Sequence, residues 1–332
     1  MAGRQILQLK LILLCLLVLC TTSMVFYVGT LSHLETESGS LESLQFQHLL
    51  ENASDNELPL KLIHKHRRKH LQAMCDDIKK YSKTQGTVSE ENKHELDHIL
   101  VDERHKLLYC YVPKVACTNW KRIFLVLTGQ ANTTDVLAIP ASVAHEKGLL
   151  SKLSNYSVAD INLFLKTFSK FLFVRHPFER LLSAYHNKLE QRYHSSKYFQ
   201  TRFGRFIIKN YRINPSNESL IKGDDVTFNE FAAYLVDPKM SFNEHWIPIY
   251  NLCHPCLINY DIIGKYETLY EDSDFVLRSA GVHTKFPRLT KTSSTSNKLY
   301  KYFNSLSENT INKLYNIYLL DFKLFGYTLN KF

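Results

Sequence analysis

Two loops in the sequence carry residue types that suit the binding of an anion. The first runs from Pro113 to Asn119, between an apolar run that predicts a strand and a stretch that predicts a helix. Backbone N–H groups at a helix N-terminus attract an anion, Lys114 adds a positive charge, and Thr118 adds a hydroxyl donor. Because the loop lacks both glycine and the G-x-x-x-x-G-K-[ST] pattern, the sequence argues against a kinase or an ATP-hydrolysing enzyme.

The second loop runs from Arg175 to Ser183 and also follows an apolar, strand-like run. Arg175 leaves the end of that run, and Ser183 lies eight residues later in the predicted helix. A guanidinium fork and a hydroxyl that converge on one group suit a phosphate monoester. The alternative role for Arg180 and Glu179 is a surface ion pair, which we favour for Glu179.

The elements around both loops alternate between strands and helices. The predicted strands are 107–112, 171–174 and 260–266. The predicted helices are 120–127, with Asn119 as N-cap and Gly129 as stop signal, 178–191, 271–280 and 307–322. This alternation predicts an α/β body that begins near Ile99 and contains a mainly parallel sheet flanked by helices. Ligands of such sheets bind beyond the carboxyl ends of the strands, where both loops lie.

The composition restricts the class of protein and the charge of its partner. The 332 residues are 45% hydrophobic and 22% charged, which excludes a disordered, collagen-like or multi-span membrane protein. The formal net charge of +9 predicts a polyanionic partner. Nucleic acid, acidic lipid and acidic polysaccharide all qualify by charge.

The N-terminus predicts a single membrane anchor that leaves the body in the lumen. Residues 11–31 carry no charge over 21 positions, enough to span the ~30 Å hydrocarbon layer. Arg4 and Lys10 precede this run and Glu35 follows it, so the remaining chain faces the lumen. A cleaved signal peptide is the alternative. The predicted segments are a cytoplasmic tail (1–10), a transmembrane anchor (11–31), a stem (32–97) and a body (98–332).

Glycosylation sequons and cysteines agree with a luminal body. The sequons begin at Asn52, Asn132, Asn155 and Asn217, and together with the anchor they argue against nucleic acid as the partner. Five of the seven cysteines lie beyond the anchor, so at least one of them is a free thiol or bridges to another chain. Cys253 and Cys256 could form a redox pair, half of a zinc site or a structural disulfide. We favour the disulfide, because no second C-x-x-C exists and the lumen oxidises thiols.

The predicted stem is polar and shows no sustained strand or helix period. Within it, residues 61–70 concentrate five Lys or Arg side chains and three histidines. Such a run is either a solvated face or a segment that docks a polyanion.

Longer motifs around both loops resemble those of a known enzyme family. YCYVPKVACTNWKR and FLFVRHPFERLLSAY resemble the 5′-phosphosulfate and 3′-phosphate loops of Golgi carbohydrate sulfotransferases. The similarity is greatest to the chondroitin 4-O-sulfotransferases, within the HNK-1 sulfotransferase group. It extends from about His98 to the C-terminus and includes GDDVTFNEFAAYLVDP, FNEHW, LCHPC and IGKYETLYEDS. His176 departs from the pattern, because many members carry Glu or Asp there.

The resemblance implies a P-loop-like sulfotransferase fold in the Golgi membrane and a specific reaction. A sulfuryl group would pass from 3′-phosphoadenosine 5′-phosphosulfate (PAPS) to the 4-hydroxyl of N-acetylgalactosamine in chondroitin, without a metal. Dermatan, and terminal N-acetylgalactosamine on glycoproteins, are the alternative acceptors. A homo-oligomer, formed through the stem or a free cysteine, is a further option.

The resemblance also assigns roles to individual residues. The residues expected to wrap the 5′-phosphosulfate are Pro113, Lys114, Val115, Ala116, Cys117, Thr118 and Asn119. The segment around the 3′-phosphate is Arg175, His176, Pro177, Phe178, Glu179, Arg180, Leu181, Leu182 and Ser183, in which Arg175 and Ser183 hold the phosphate. Lys114 would stabilise the charge that builds on the leaving oxygen, and Cys117 would be small packing filler.

A sugar hydroxyl needs a general base, and histidine titrates in the right range. Two of the fifteen histidines stand out. His145 lies between the two loops, where the related uronyl 2-O-sulfotransferases carry a histidine that resembles a catalytic base. His245, in the FNEHW motif, is the second candidate, although it could orient the acceptor or pack beside Trp246. Glu244 is a further option.

Two other functions share parts of this pattern. A Golgi glycosyltransferase has the same anchor, stem and body, but the one Asp-x-Asp, Asp272 to Asp274, lies at a predicted helix start and suits capping better than a metal. A non-enzymatic glycosaminoglycan-binding membrane protein would explain the charge but not the two loops.

The stretch 192–212 predicts where an acidic polymer binds. It carries six cations, among them Arg202 and Arg205, with interleaved aromatics and no acidic residue. Because it follows the helix of the second loop, we expect it at the mouth of the site. The alternative is a helix with its aromatics in the core and its cations solvated.

Overall fold

The computed structural model describes residues 57–81, 88–288 and 295–329. The predicted anchor and the sequon at Asn52 lie outside these ranges. No helix within them is both long enough and apolar enough to cross a membrane. The chain divides into two units, 1–59 and 60–332. All of the structure discussed below, except the first three residues of helix α1, belongs to the second unit.

A four-stranded sheet forms the centre of the body. Its strands are β1 (Ile99–Asp102), β2 (Leu107–Cys110), β3 (Ser169–Val174) and β4 (Ile262–Lys265), in the order β1-β2-β3-β4. β2, β3 and β4 are parallel, whereas β1 pairs antiparallel with β2. This confirms the mainly parallel sheet, but β1 was not predicted and β2 and β4 are shorter than expected.

Fifteen α-helices are present in the described ranges. They are α1 (Glu57–Tyr81), α2 (Cys117–Leu127), α3 (Ala141–Ala144), α4 (Val158–Thr167), α5 (Pro177–Tyr185), α6 (Lys197–Phe199), α7 (Arg205–Tyr211), α8 (Asn217–Lys222), α9 (Phe228–Val236), α10 (Ile249–Cys253), α11 (Pro255–Ile258), α12 (Leu269–Ser279), α13 (Thr295–Phe303), α14 (Glu308–Ile317) and α15 (Leu319–Leu324). Two π turns, His186–Glu190 and Gln200–Gly204, follow α5 and α6.

All four predicted helices differ from the structure at their ends; α12 (Leu269–Ser279) does so by one or two residues from the predicted 271–280. α2 begins two residues before the predicted N-cap: Ala116 caps it in a left-handed conformation, and Asn119 lies inside the helix, where its Oδ1 accepts from Arg122. Gly129 does follow the helix end, with a positive φ. The predicted helix 178–191 is α5 followed by a π turn. The predicted helix 307–322 is the pair α14 and α15, of which α14 is capped by Ser307.

Two hydrophobic clusters hold these elements together. The first surrounds the sheet, where the rings of Tyr109, Trp120 and Phe171 pack with centroids 4.8–5.5 Å apart. The second lies under α5, α7, α9 and α14. Because α5 follows directly on β3, the second loop lies where the two clusters meet.

Helix α1 is the main departure from the sequence analysis, because it lies in the segment predicted to be a stem without a helical period. Its inward face carries His64 and Arg67 as well as Leu71 and Cys75. Two buried positions of α1 are therefore polar, so the sequence lacks the regular spacing of apolar residues by which an amphipathic helix is recognised. Arg67 donates to the buried carboxylate of Asp272, so this aspartate of the Asp-x-Asp pair is engaged in an ion pair.

Disulfides join Cys75 to Cys256 and Cys110 to Cys253. Cys253 and Cys256 are therefore both in structural disulfides, as favoured from the sequence, but each is bonded to a distant cysteine and they are not bonded to each other. Cys117 is the free cysteine of the described ranges, and it is buried. This confirms that at least one of the five cysteines beyond the predicted anchor has no disulfide partner within the chain.

Candidate active site

The two loops meet at one edge of the sheet, because β2 and β3 are adjacent and parallel. The first loop turns sharply into α2 through Lys114 and Ala116, whose φ values are 73° and 56°. A left-handed conformation costs a non-glycine residue roughly 1–2 kcal/mol. Successive N–H groups in such a curl form a concavity that suits an anion. The loop thus has the backbone shape of an anion cradle without glycine.

The buried side chain of Arg180 connects the two loops through hydrogen bonds. Its side chain is 2% exposed, so the surface ion-pair interpretation is wrong for this residue. Nε donates to the carbonyl oxygen of Pro113 (3.1 Å), Nη1 to that of Ile247 (2.6 Å) and Nη2 to that of Glu244 (3.1 Å). The guanidinium therefore fixes the first loop, the second loop and the segment that carries His245 in one arrangement.

Arg175 lies at the end of β3 and is also almost fully buried. Its Nε and Nη2 donate to Oε2 of Glu179 at 3.3 and 3.2 Å, and its guanidinium stacks over the ring of Tyr266, 4.1 Å from the centroid. Glu179 is ion-paired, as favoured from the sequence, but its partner is a residue of the same loop. Tyr266, which follows β4, was not a predicted site residue.

The side chain of His176 packs toward the C-terminal segment. Its Nε2 lies 3.2 Å from the carbonyl oxygen of Thr328, and its ring contacts Phe322 and Tyr327. Burial lowers the pKa of this imidazole. Its backbone N–H donates to the carboxylate of Glu267, which fixes the start of α5.

The apolar members of both loops position the polar ones. Val115, Phe178, Leu181 and Leu182 are buried in the two clusters. Pro177 is the first residue of α5, where proline is favoured. Ser183 is half-buried on that helix. Cys117, the first residue of α2, is buried against the sheet cluster.

His145 follows the short helix α3 and reaches the first loop. Its Nε2 lies 3.0 Å from Oγ1 of Thr118, and its ring remains exposed. Partial burial, with repulsion from Lys121, Lys188 and Arg122, lowers the pKa of His145 to about 4. The imidazole is therefore neutral near pH 6–7 and can accept a proton.

His245 is held more tightly. Asn243 Oδ1 accepts from the backbone N–H of His245 and lies 2.7 Å from its Nδ1, so Nδ1 carries the proton and Nε2 is the acceptor nitrogen. Burial, followed by repulsion from Lys188, Lys114 and Arg180, lowers the pKa of His245 to about 2.

Lys188, on the π turn after α5, joins the site although it was not predicted. Its Nζ lies 4.4 Å from the ring centroid of Phe199, and the same ring contacts His245 with centroids 4.9 Å apart. Burial and repulsion from Lys188 lower the pKa of Lys114 to about 8. His145, His245 and Lys114 thus all lie in a positive electrostatic potential to which Lys188 contributes.

Residues 192–212 combine the two expected arrangements. Phe199 and Phe203 pack into the second cluster, whereas Tyr193, Tyr198 and Phe206 are exposed. Arg202 and Arg205 are both exposed. Two other cations of the stretch, Arg192 and Arg212, pair with the acidic residues Asp224, Asp225 and Glu230.

The sequon residues of the described ranges, Asn132, Asn155 and Asn217, are all exposed. Side chains of at least three His, Cys, Asp or Glu that could jointly hold a metal do not occur in the described part of the chain.

Comparison with known proteins identifies one family. The profile described as "Sulfotransferase family" matches residues 97–328. The chain is 46% identical over 275 residues to carbohydrate sulfotransferase 11 of Rattus norvegicus, which covers 81% of this chain and 77% of that protein. It is 36% identical over 308 residues to carbohydrate sulfotransferase 14 of Danio rerio (91% and 82%) and 39% identical over 274 residues to carbohydrate sulfotransferase 9 of Homo sapiens (79% and 59%). No solved structure matches the chain significantly.

Proposed function

Because the chain belongs to the sulfotransferase family, we propose that it transfers a sulfuryl group from PAPS to the 4-hydroxyl of N-acetylgalactosamine in chondroitin. The observation that carries the proposal is the convergence of the two loops predicted to bind anions with Lys114 and two neutral histidines at one sheet edge. The identity of 46% to a carbohydrate sulfotransferase supports a sugar acceptor.

The residues at this edge fit the donor. The curled first loop and the N-terminus of α2 would hold the 5′-phosphosulfate, and Arg175 with Ser183 would hold the 3′-phosphate. When bound, PAPS supplies an activated sulfuryl group. Tyr266 and Glu179 fix the plane of the Arg175 guanidinium, so its orientation would be set before the phosphate binds.

The transfer needs a base for the acceptor and a cation for the leaving group. His145 is our proposed base, because its ring is exposed to an incoming sugar and is neutral near pH 6–7. As the acceptor oxygen bonds to sulfur, the bond from sulfur to the donor phosphate breaks and the hydroxyl proton moves to the imidazole. Lys114 stabilises the charge left on the phosphate oxygen.

His245 and Lys188 complete this arrangement. Asn243 fixes the His245 ring with Nε2 unprotonated, which suits a residue that orients the acceptor by accepting a hydrogen bond. Lys188 adds positive charge beside Lys114, where the sulfuryl oxygens of the transition state would lie.

We place the protein in the Golgi membrane as a single-pass type II enzyme with a luminal body. The uncharged run 11–31, the exposed sequon residues and two disulfides support this location.

One assay tests the proposal against the other two functions. The luminal protein is incubated with sulfate-labelled PAPS and desulfated chondroitin without a divalent metal, and the product is digested to disaccharides. We expect label at the 4-position of N-acetylgalactosamine. A requirement for a nucleotide sugar and manganese would instead identify a glycosyltransferase, and polymer binding without transfer would identify a glycosaminoglycan-binding protein.

A further inference from the structure

Lys121 is a cation beside the proposed base that belongs to neither of the two loops. It lies three residues after Thr118 on α2, and side chains at that spacing are neighbours on the surface of a helix. Thr118 Oγ1 in turn lies 3.0 Å from Nε2 of His145. Repulsion from Lys121 is, after burial, the next cause of the lowered pKa of His145. The ammonium group of Lys121 therefore lies near the position proposed for the reacting hydroxyl.

The ammonium group of Lys121 is partly removed from water and has no carboxylate as a partner. Its Nζ lies 3.7 Å from the ring centroid of Tyr111, and the residue is half-buried. No Asp or Glu within the described part of the chain forms an ion pair with it. Burial lowers the pKa of Lys121, because the charged form loses hydration here. A bound anion would supply the missing counter-charge and offset that loss.

An aromatic pair links the surroundings of Lys121 to the acidic residue of the site. The rings of Tyr111 and His98 pack with centroids 4.4 Å apart, and His98 Nε2 lies 3.5 Å from Oε2 of Glu244. The side chain of Glu244 is 43% exposed, and its Oε1 lies 3.7 Å from Nδ1 of His245. A carboxylate on a ligand would be repelled at the Glu244 end of this surface and attracted at the Lys121 end.

The proposed contacts to the donor use other cations. Lys114 lies in the first loop, Arg175 lies in the second, and Lys188 adds positive charge beside Lys114. Lys121 is the fifth residue of α2, beyond the N–H groups at the start of the helix that suit the donor anion. Its charge is therefore left for the acceptor.

We infer that Lys121 binds the carboxylate of the uronic acid that is linked to the N-acetylgalactosamine being sulfated. The inference rests on the proposed function and deepens it, because it names a feature by which the site would prefer chondroitin or dermatan to a neutral terminal N-acetylgalactosamine. In these polymers the uronic acid is attached at the ring position next to the 4-hydroxyl. When that hydroxyl faces His145, the neighbouring carboxylate is thus brought toward the next turn of α2, where Lys121 lies.

The test combines variants of the full-length protein in detergent with two matched acceptors. One acceptor is a desulfated chondroitin hexasaccharide, and the other is the same hexasaccharide with its carboxylates reduced to primary alcohols. Lys121→Gln removes the charge, and Lys121→Met is a second variant that keeps an unbranched chain over the Tyr111 ring. Lys313→Gln, at an exposed site on α14, is the matched control. The quantity compared is the ratio of kcat/KM for the two acceptors, which does not depend on the fraction of folded protein.

We expect the wild type and Lys313→Gln to prefer the charged hexasaccharide about tenfold to hundredfold in kcat/KM, the range that one hydrogen bond to a charged group allows. Both Lys121 variants should sulfate the two hexasaccharides with nearly equal kcat/KM. Their activity with the reduced hexasaccharide and their KM for PAPS should stay close to the wild-type values, because neither depends on the carboxylate.

Three outcomes would overturn the inference. The first is a wild-type enzyme that does not prefer the charged hexasaccharide. The second is a preference that both Lys121 variants retain, or a loss of all activity in both, since the lysine would then act on the donor or on the fold. The third is an equal loss of preference in Lys313→Gln, which would indicate a general attraction by the net charge. A wild type that sulfates neither hexasaccharide would refute the proposed function instead, so the two failures are distinguishable.

Discussion

Arg180 donates to the carbonyl oxygen of Pro113 across 3.1 Å, although the two residues are 67 positions apart. Each belongs to a different one of the two loops predicted to bind an anion, and the same guanidinium also binds the backbone of Glu244 next to His245. The burial of this cation lowers its pKa, so its charge is held at a cost that its three carbonyl partners offset. Besides the parallel pairing of β2 and β3, the relative position of the two loops therefore depends on this side chain.

The first prediction is that Arg180→Lys loosens this arrangement. Lysine cannot reach three carbonyl oxygens in the planar geometry of the fork, so buried acceptors lose their donors. We expect a loss of about 2–4 kcal/mol in the free energy of unfolding and a higher KM for PAPS. Chemical denaturation and donor kinetics measure both effects. Arg104→Lys, at an exposed site, is the control, and equal stability of the two variants would contradict the role of Arg180.

The second prediction concerns alkaline pH. Since the pKa of Lys114 is lowered to about 8, its charge is present below pH 8 and is lost as pH rises above that value. We expect kcat/KM for PAPS to fall above about pH 8, because this parameter reports the free enzyme. At saturating donor the negative charge of the ligand restores the lysine proton, so the fall in kcat should occur at higher pH.

Lys114→Arg provides the control for this profile. The guanidinium remains charged throughout the range, so the alkaline fall should disappear even though the rate itself is lower. An unchanged fall in the arginine variant would assign it to another group.

The third prediction separates the two histidines. His145→Ala should lower kcat by about 10²–10⁴-fold with PAPS affinity retained, whereas His245→Ala should mainly raise the KM for the acceptor. His283→Ala, at an exposed site, should behave like the wild type. Because the pKa values of His145 and His245 are lowered to about 4 and about 2, neither should cause an acid loss of activity above about pH 5. Near-normal kcat in His145→Ala would remove it from the role of base.

The sequence predicted the parts of the site that depend on local pattern. A strand, an anion-binding loop and a helix recur twice, and two adjacent parallel strands bring such loops to one edge. Both histidines lie near these loops, as expected from the motifs. The residues that support the loops were missed, because Arg180 and Tyr266 act through contacts with segments far away in the chain.

Two other omissions also have physical causes. Lys188 lies on a π turn, and this turn directs its side chain to the site. A pattern with the α-helical period of 3.6 residues does not reveal such a turn. Helix α1 was missed because His64 and Arg67 occupy inward positions, where a buried carboxylate on α12 makes polar side chains favourable. In both cases the tertiary partner, rather than the local sequence, determines the conformation.

The fourth prediction tests the backbone of the first loop. Ala116 has a φ of 56°, a conformation that glycine adopts without strain. Ala116→Gly should therefore leave the free energy of unfolding unchanged or raise it by up to about 1 kcal/mol. Ala131→Gly is the matched control at a residue without positive φ, where we expect a loss of about 0.4–1 kcal/mol because glycine raises the conformational entropy of the unfolded chain. Urea denaturation measures the free energy of unfolding of both variants. An equal loss of this free energy in the two would show that the backbone at Ala116 is not strained.

The fifth prediction concerns the exposed cations of the stretch 192–212. Phe199 contacts both Lys188 and His245. The first helical residues of the stretch 192–212 therefore lie beside His245. Arg202→Glu combined with Arg205→Glu should raise the KM for chondroitin polymer and flatten its salt dependence. The reason is that contacts between exposed charges weaken as the Debye length shrinks from ~10 Å at 0.1 M salt to ~3 Å at 1 M.

The matched control for this pair is Lys166→Glu combined with Lys313→Glu, which changes the net charge equally on distant exposed sites. Donor KM should stay constant in both double variants, because Arg202 and Arg205 lie outside the two loops. If a short uncharged acceptor and the long polymer lose activity to the same degree, the two arginines act on the fold and not on the polymer. A loss restricted to the polymer, and abolished at 1 M salt, would place the chain along this surface.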